Sequence, residues 1–313
     1  MALDPQAARI LEMTAASDAP ALGEGTVAES REAFAKLTEM VGVAAPEPRS
    51  IREIRIPGPG GDIRSLVITP NIDHSGPLPL LIYYHGGGWV IGSPETHRRE
   101  ACYYAAAGQC AVLVPDYRLA PEHPFPAAPL DCYAALEWAA AHGAELGADP
   151  SRIAVGGDSA GGNLSAVVSQ MARDRGGPRI ALQLLVYPAT RMGSDTASYR
   201  DCGDGYFLTA TAMNWFFDQY LTKPEDWDDP LASPLLAADF SGLPPALVMT
   251  AGFDPLRDEG MEYADRLSAA GVPVEYLCYR NQIHGFVSMA GAIDEGREFL
   301  DRAGAALRRA FGT

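Results

Sequence analysis

The stretch Ile153-Ala-Val-Gly-Gly-Asp-Ser-Ala-Gly-Gly162 carries the strongest local signal in this chain. Its first three residues suit a buried strand, and a helical pattern begins at Ala160. A G-x-S-x-G sequence between a strand and a helix places its serine on a tight turn, where small neighbours are needed and the helix N-terminus adds partial positive charge. The alternative is a glycine-rich turn with an incidental serine. The strand before the turn and the helix after it favour Ser159 as a nucleophile.

Apolar runs alternate with helical patterns on both sides of that stretch. The runs predicted as strands are Leu78–Tyr84, Ala111–Pro115, Ile153–Val155, Leu182–Tyr187, Ala246–Thr250 and Val272–Tyr279, preceded by two strands around the turn at 57–62. The predicted helices are Gln6–Met13, Val27–Val41, Arg98–Ala107, Ala127–Ala141, Ala160–Arg175, Arg257–Ala270 and Ile293–Phe311. Continuous apolar strands separated by helix-length segments indicate an α/β fold with a parallel sheet covered on both faces.

One segment interrupts the alternation. Residues 190–240 are rich in aromatic side chains and show no strand pattern, although they lie between two predicted strands. We therefore expect an insertion that packs over one end of the sheet. The predicted organisation is a helical segment at 1–50, a first core part at 51–189, the insertion at 190–240 and a second core part at 241–313.

Composition excludes several classes of protein. The chain has 313 residues and a formal net charge of −16, so binding to a phosphate backbone is not expected. It contains no apolar run long enough to span a membrane, no signal-peptide pattern at its start, and no metal-binding motif. Five widely spaced cysteines fit reduced thiols in the cytoplasm better than a disulfide framework. The excess of acidic residues is interpreted as a solvated surface.

A second motif, His85-Gly-Gly-Gly-Trp89, follows the strand Leu78–Tyr84. Consecutive glycines allow backbone N–H groups to approach a ligand closely. Together with the N–H of Ala160, the glycines Gly86, Gly87 and Gly88 are candidates for holding a tetrahedral oxyanion. The alternatives are a loop without a role, or a phosphate loop, which lacks the Lys-Ser/Thr that should follow the glycines.

A nucleophilic serine needs a base and an acid to orient that base. Among the six histidines, His284 alone follows Ser159 in the sequence, and it lies just past a predicted strand. The acid is expected between them at a strand end, where Asp254 precedes Pro255. Asp258 and Glu259 compete for that role, but they fall in the following helix, where a solvated first turn is the simpler interpretation.

These motifs resemble those of the bacterial hormone-sensitive-lipase-like (family IV) esterases. The resemblance rests on the motifs at 85–89, 157–163, 254–259 and 284–286, on Asp116-Tyr-Arg-Leu-Ala-Pro-Glu-His-Pro-Phe-Pro126, on Phe207-Leu-Thr209 and on Asp229-Pro-Leu-Ala-Ser-Pro234. It implies an α/β-hydrolase fold with an eight-stranded, mostly parallel sheet and a helical cap built from residues 1–50 and 190–240. It also implies carboxylester hydrolysis without a cofactor or metal, with Ser159, Asp254 and His284 as catalytic residues.

The substrate is expected to be a small ester with a short- to medium-chain acyl group. Trp89, Asp158, Phe207, Trp215 and Phe216 are candidates for the pocket, and ordinary packing of the cap is the alternative for the aromatic residues. An amidase, peptidase or lactonase on the same scaffold, or a ligand-binding protein without catalysis, are the other functions considered. Pairing of the edge strand near Val272–Tyr279 would make a homodimer, by analogy with dimers of that family.

Overall fold

The computed structural model describes residues 2–17 and 20–313, so residues 1, 18 and 19 of the predicted N-terminal segment lie outside the described residues. The strands β1 to β8 are Ser50–Gly58, Gly61–Thr69, Leu78–Tyr84, Ala111–Pro115, Ala148–Asp158, Ile180–Val186, Ala246–Phe253 and Val274–Ile283. In this part of the chain they form one sheet in the order β1-β2-β4-β3-β5-β6-β7-β8. The pairs β1–β2 and β2–β4 are antiparallel, and the other neighbours are parallel. The predicted sheet is therefore confirmed.

Helices cover both faces of this sheet. The helices α1 to α9 are Pro5–Ala15, Val27–Val41, Arg98–Gly108, Ala127–His142, Ala160–Asp174, Ala197–Cys202, Ala210–Tyr220, Arg257–Ala269 and Asp294–Phe311, with short 3-10 helices at Gly143–Leu146, Pro224–Asp228 and Pro234–Leu236. Side chains alternate along β3, so Leu80 and Ile82 pack in the core beside α4 and α5, whereas Leu81 and Tyr83 pack in the core beside α3 and α9. All of β3 is buried, which explains its uninterrupted apolar sequence.

Several strands extend further than their apolar patterns, among them β5 and β8 beside the predicted site. The strand β5 continues through Gly156 and Gly157 to Asp158, because both glycines pair with β3 on one side and all three residues pair with β6 on the other. The strand β8 continues to Ile283, where it pairs with Phe253 of β7. Both extensions bring the predicted site residues directly to the ends of strands.

The segments predicted to cover the sheet are helical. Helix α2 begins with reciprocal hydrogen bonds, in which Glu29 N donates to Thr26 Oγ1 (3.3 Å) and Thr26 N donates to Glu29 Oε2 (2.9 Å). Residues 190–240, all of which are described, contain α6, α7 and two of the 3-10 helices but no strand. Over residues 2–17 and 20–313, no helix is long and apolar enough to cross a membrane.

Candidate active site

Ser159 occupies the turn between β5 and α5. Its backbone has φ 54° and ψ −117°, a conformation that is strained for any residue with a side chain. A Cβ atom at Gly161 would overlap the carbonyl oxygen of Tyr84 on β3, and a Cβ atom at Gly157 would overlap the same oxygen. The two glycines of the G-x-S-x-G motif are therefore required by the close approach of β3, β5 and α5, and the tight packing holds Ser159 in its strained conformation.

His284 and Asp254 form a hydrogen-bonded chain with this serine. The ring nitrogen Nε2 of His284 lies 2.9 Å from Ser159 Oγ, and Nδ1 lies 2.7 Å from Asp254 Oδ2. Asp254 is fully buried, and its Oδ1 accepts a hydrogen bond from Leu256 N (2.8 Å). The three residues meet because β5, β7 and β8 are parallel, so their carboxyl ends lie at the same edge of the sheet. The structure thus brings together the three residues selected from chain order.

The competing acids are engaged elsewhere. Asp258 accepts hydrogen bonds from Ser198 N (2.8 Å) and from Arg257 Nε (2.8 Å). Glu259 is fully buried, and its Oε1 accepts from Thr190 N (2.7 Å) and Arg191 N (3.2 Å). Burial raises the pKa of Glu259 to about 8 despite these two donors. The expectation of a solvated first turn is therefore wrong for Glu259, because the insertion covers the start of α8.

The glycine motif lies beside the serine turn, but its members differ in role. The N–H of Gly86 donates to Asp158 Oδ1 (2.9 Å), so it is not free to bind an oxyanion. The prediction of Gly86 as an oxyanion donor is therefore wrong, and its N–H instead holds the glycine loop against Asp158. Gly88 has φ +57°, and a Cβ atom there would overlap the ring of Phe216 on α7. Ala160 is the first residue of α5, so its N–H has no acceptor within the helix. Gly87, Gly88 and Ala160 remain the candidate donors.

A narrow, mostly apolar cavity of about 50 Å³ opens onto Ser159 and His284. Two of its walls come from the helical segments. Helix α2 contributes Phe34, Leu37, Thr38 and Val41, and the insertion contributes Phe207, Leu208 and Phe216. Asp158 also lies at the cavity wall, so three of the five predicted pocket residues reach it.

Trp89 and Trp215 do not line this cavity. The buried indole of Trp89 stacks on Tyr220 of α7, with ring centroids 4.6 Å apart and an interplanar angle of 4°. Trp215 packs edge-on against the wall residue Phe216, with ring centroids 5.2 Å apart. For these two residues the alternative of ordinary packing describes their positions, because both side chains pack against aromatic rings and neither lines the cavity.

Sequence reasoning missed a buried polar cluster behind the glycine motif. Asp158 accepts a hydrogen bond from Tyr83 Oη (2.8 Å) and lies 3.4 Å from Nε2 of His97, which is fully buried. Burial opposes a charge on His97, but Asp158 outweighs it and raises the histidine's pKa to about 9. Glu100 lies 3.3 Å from the same tyrosine hydroxyl, and burial raises its pKa to about 7. The spacing of His97 and Glu100, three residues apart at the start of a helix, was the available signal.

Tyr187, another residue that was missed, lies just past the end of β6. Its ring centroid is 4.6 Å from that of His284, and its side chain lines the cavity. Its backbone has φ +35°, which is unusual for a residue with a bulky side chain. Nothing in its local sequence distinguishes Tyr187 from a core tyrosine.

The sheet is mostly parallel, and Ser159 lies on a strained turn between a strand and a helix. An aspartate and then a histidine follow this serine in the chain, each at the end of a later strand. This arrangement defines the α/β-hydrolase class. Comparison with known proteins agrees with this assignment to the α/β-hydrolase class. Residues 81–288 match a family model described as an alpha/beta hydrolase fold.

Relatives of this chain are esterases. It is 48% identical over 255 residues to a carboxylic ester hydrolase, LipN, of Mycobacterium tuberculosis, covering 79% of this chain and 67% of LipN. It is 35% identical over 275 residues to an ethyl acetate hydrolase of Pseudomonas putida, covering 87% and 86%. The solved structure of a hyperthermophilic esterase from the archaeon Pyrobaculum calidifontis superposes with a TM-score of 0.93 at 44% identity, covering 99% of each chain.

The chain therefore belongs to the α/β-hydrolase family, in its hormone-sensitive-lipase-like branch of family IV esterases. It is a carboxylic ester hydrolase.

Proposed function

We propose that this enzyme hydrolyses short- to medium-chain carboxylic esters through an acyl-enzyme formed on Ser159. The observation that carries this proposal is the unbroken chain from Ser159 Oγ to His284 (2.9 Å) and from His284 to Asp254 (2.7 Å). A serine hydroxyl is a weak nucleophile until an adjacent base takes its proton, and a buried carboxylate keeps that base in the correct tautomer.

Each residue has a defined part in the reaction. His284 takes the proton of Ser159 as Oγ bonds to the ester carbonyl, and the N–H groups of Gly87, Gly88 and Ala160 hold the resulting oxyanion. His284 then gives the proton to the departing alcohol. In the second step His284 takes a proton from water, the hydroxyl attacks the acyl carbon, and the proton returns to Ser159 as the acid leaves.

The cavity supports a preference for small acyl groups. Its volume of about 50 Å³ holds only a few water-sized groups, and its walls are mainly apolar. Residues 1–50 and 190–240 form the cap in this proposal, because α2 and the insertion supply seven of the eighteen residues that line the cavity. The similarity to a protein named ethyl acetate hydrolase supports the same preference.

The test is Ser159→Ala, assayed on p-nitrophenyl esters of increasing acyl length. The variant should fold and lose turnover, while the wild-type enzyme should take up one equivalent of an aryl phosphonate at Ser159. Retained turnover in the variant would disprove the nucleophile, and best activity on acyl chains longer than about ten carbons would disprove the proposed preference for short chains. Parallel assays on matched amides and lactones separate the esterase from the amidase and lactonase alternatives.

Two further proposals concern the setting of the enzyme. A cytoplasmic location is suggested by cysteine usage, and all five cysteines are free thiols in the structure. A homodimer is suggested by β8, which is an edge strand of the sheet. Size-exclusion chromatography with light scattering tests the dimer, and fractionation of the source cells tests the location.

A further inference from the structure

The carboxylate of Asp158 links the serine turn to the glycine loop. Its Oδ1 accepts hydrogen bonds from Gly86 N (2.9 Å) and from Tyr83 Oη (2.8 Å). A Cβ atom at Gly86 would overlap Asp158 Oδ2, so the loop backbone lies directly against the carboxylate. The residue before the nucleophile therefore anchors the loop that is proposed to bind the oxyanion.

A carboxylate in this place carries an electrostatic cost. Negative charge develops on the substrate oxygen beside Gly87 and Gly88 during the proposed reaction, one and two residues from the anchor at Gly86. A second negative charge on Asp158 would repel that oxyanion, and the repulsion is stronger in a buried site than in water. Asp158 can hold the loop without opposing the reaction only if a nearby positive charge balances its negative charge.

The balancing group is His97, which faces Asp158 from the start of α3. Its Nε2 lies 3.4 Å from Asp158 Oδ1, and its ring is fully buried. The rings of Phe34, Tyr83 and His85 lie around His97, with centroids 5.5–6.4 Å away, and Glu100 of α3 favours its charged form. Tyr104 and Tyr187 interact with the carboxylates of Asp158 and Glu100, and Glu95, two residues before His97, is paired with Arg64. Burial lowers the pKa of His85 to about 3, so His85 is neutral and cannot replace His97 as the cation.

We propose that His97 is a positioning residue of the esterase reaction, in which its imidazolium is the buried counter-ion of Asp158 and the pair fixes the oxyanion loop without net negative charge. This inference rests on the proposed function of Ser159 and of the loop. It predicts that removal of the cation alone lowers kcat more than removal of both charges.

The experiment compares His97→Gln, Asp158→Asn and the double variant on p-nitrophenyl acetate. Asparagine keeps an acceptor oxygen for Gly86 N–H, so the anchor is retained while its charge is lost. His97→Gln should lower kcat by about tenfold to a hundredfold, since an oxyanion loop displaced by about 1 Å costs on that order, with KM nearly unchanged because the ground-state ester is neutral. The double variant should regain most of that loss. A purely structural role of His97 predicts the opposite, a double variant at least as slow as His97→Gln.

The pH–rate profile gives an independent readout. The wild-type kcat should fall as pH rises through about 9, where His97 loses its proton beside an ionised Asp158, and this alkaline fall should be absent from Asp158→Asn. That comparison decides the proposal even if His97→Gln does not fold. His142→Gln is the matched control, since His142 is also paired with a carboxylate, at 2.9 Å from Glu145, but is exposed.

Labelling by a phosphonate distinguishes a failure of the proposed function from a failure of the role of His97. Failure of an aryl phosphonate to label wild-type Ser159 would refute the proposed function. Normal labelling together with a wild-type kcat in His97→Gln, or a double variant without recovery, would overturn the role of His97 alone.

Discussion

Replacement of Gly88 by alanine tests how the insertion and the oxyanion loop fit together. Gly88 has φ +57°, and a left-handed conformation costs a residue with a side chain roughly 1–2 kcal/mol. The new methyl group would also overlap the ring of Phe216, and overpacking of this kind costs about 1–3 kcal/mol. The backbone cost and the steric cost together amount to about 2–5 kcal/mol, and the loop can relieve this strain by moving away from α7. A shift of about 1 Å in the proposed donors should lower kcat by roughly a hundredfold.

The assay is a double-mutant cycle with Phe216→Ala, which removes the ring atoms that the new methyl group would meet. In the Phe216→Ala background only the backbone strain remains, so Gly88→Ala should cost a few-fold in kcat rather than about a hundredfold. Thermal unfolding of all four proteins checks that each is folded at the assay temperature. Equal losses from Gly88→Ala in both backgrounds would refute the claim that Phe216 holds the loop, and no loss in either would refute the role of Gly88.

Asp254→Asn should lower kcat by about four orders of magnitude while leaving the fold intact, whereas Asp258→Asn should keep most of the activity, and the reverse result would reassign the acid. Glu259→Gln should change the pH dependence of stability: burial raises the pKa of Glu259 from 4.5 to about 8, so its contribution to the free energy of unfolding is full in acid below about pH 4.5 and is lost as pH rises to 8. Denaturant unfolding should therefore show wild type losing stability relative to this variant between about pH 5 and 8, and a constant difference would contradict the buried neutral acid. Phe207→Ala should widen the cavity and shift the optimum acyl length upward in the nitrophenyl ester series, and an unchanged optimum would remove Phe207 from the acyl pocket.

The elements of the core were predictable because each is encoded locally. Continuous apolar runs such as Leu78–Tyr84 occur where both faces of a parallel sheet are buried, and all six such runs are strands. The meeting of Ser159, Asp254 and His284 was predictable for a related reason. Parallel strands end at one edge, so residues that follow different strands in the sequence become neighbours in space.

The walls of the cavity were not predictable from the same patterns. An aromatic residue in a helical segment packs inward whether or not a substrate lies there, so Phe216 at the cavity and Trp89 on Tyr220 look alike in the sequence. Phe34 and Leu37 were missed as wall residues because their spacing indicates only which face of α2 is apolar. Gly86 was misjudged for another reason, since the partner of its N–H lies in a different strand and turn.

A few buried carboxylates have a role that composition could not predict. Most of the acidic residues that the structure describes are at least partly exposed, as expected, but Asp158, Asp254 and Glu259 are buried at the edge of the sheet that carries the serine. Each accepts a backbone N–H from a turn or loop: Asp158 from Gly86, Asp254 from the turn into α8, and Glu259 from Thr190 at the root of the insertion. A buried acceptor that satisfies such an N–H fixes the loop that carries it, because breaking the bond would leave both groups unsatisfied. The core therefore sets the positions of the proposed oxyanion loop, of the carboxylate beside His284 and of the root of the insertion through three acids, which ties the geometry of the site to the rigidity of the sheet.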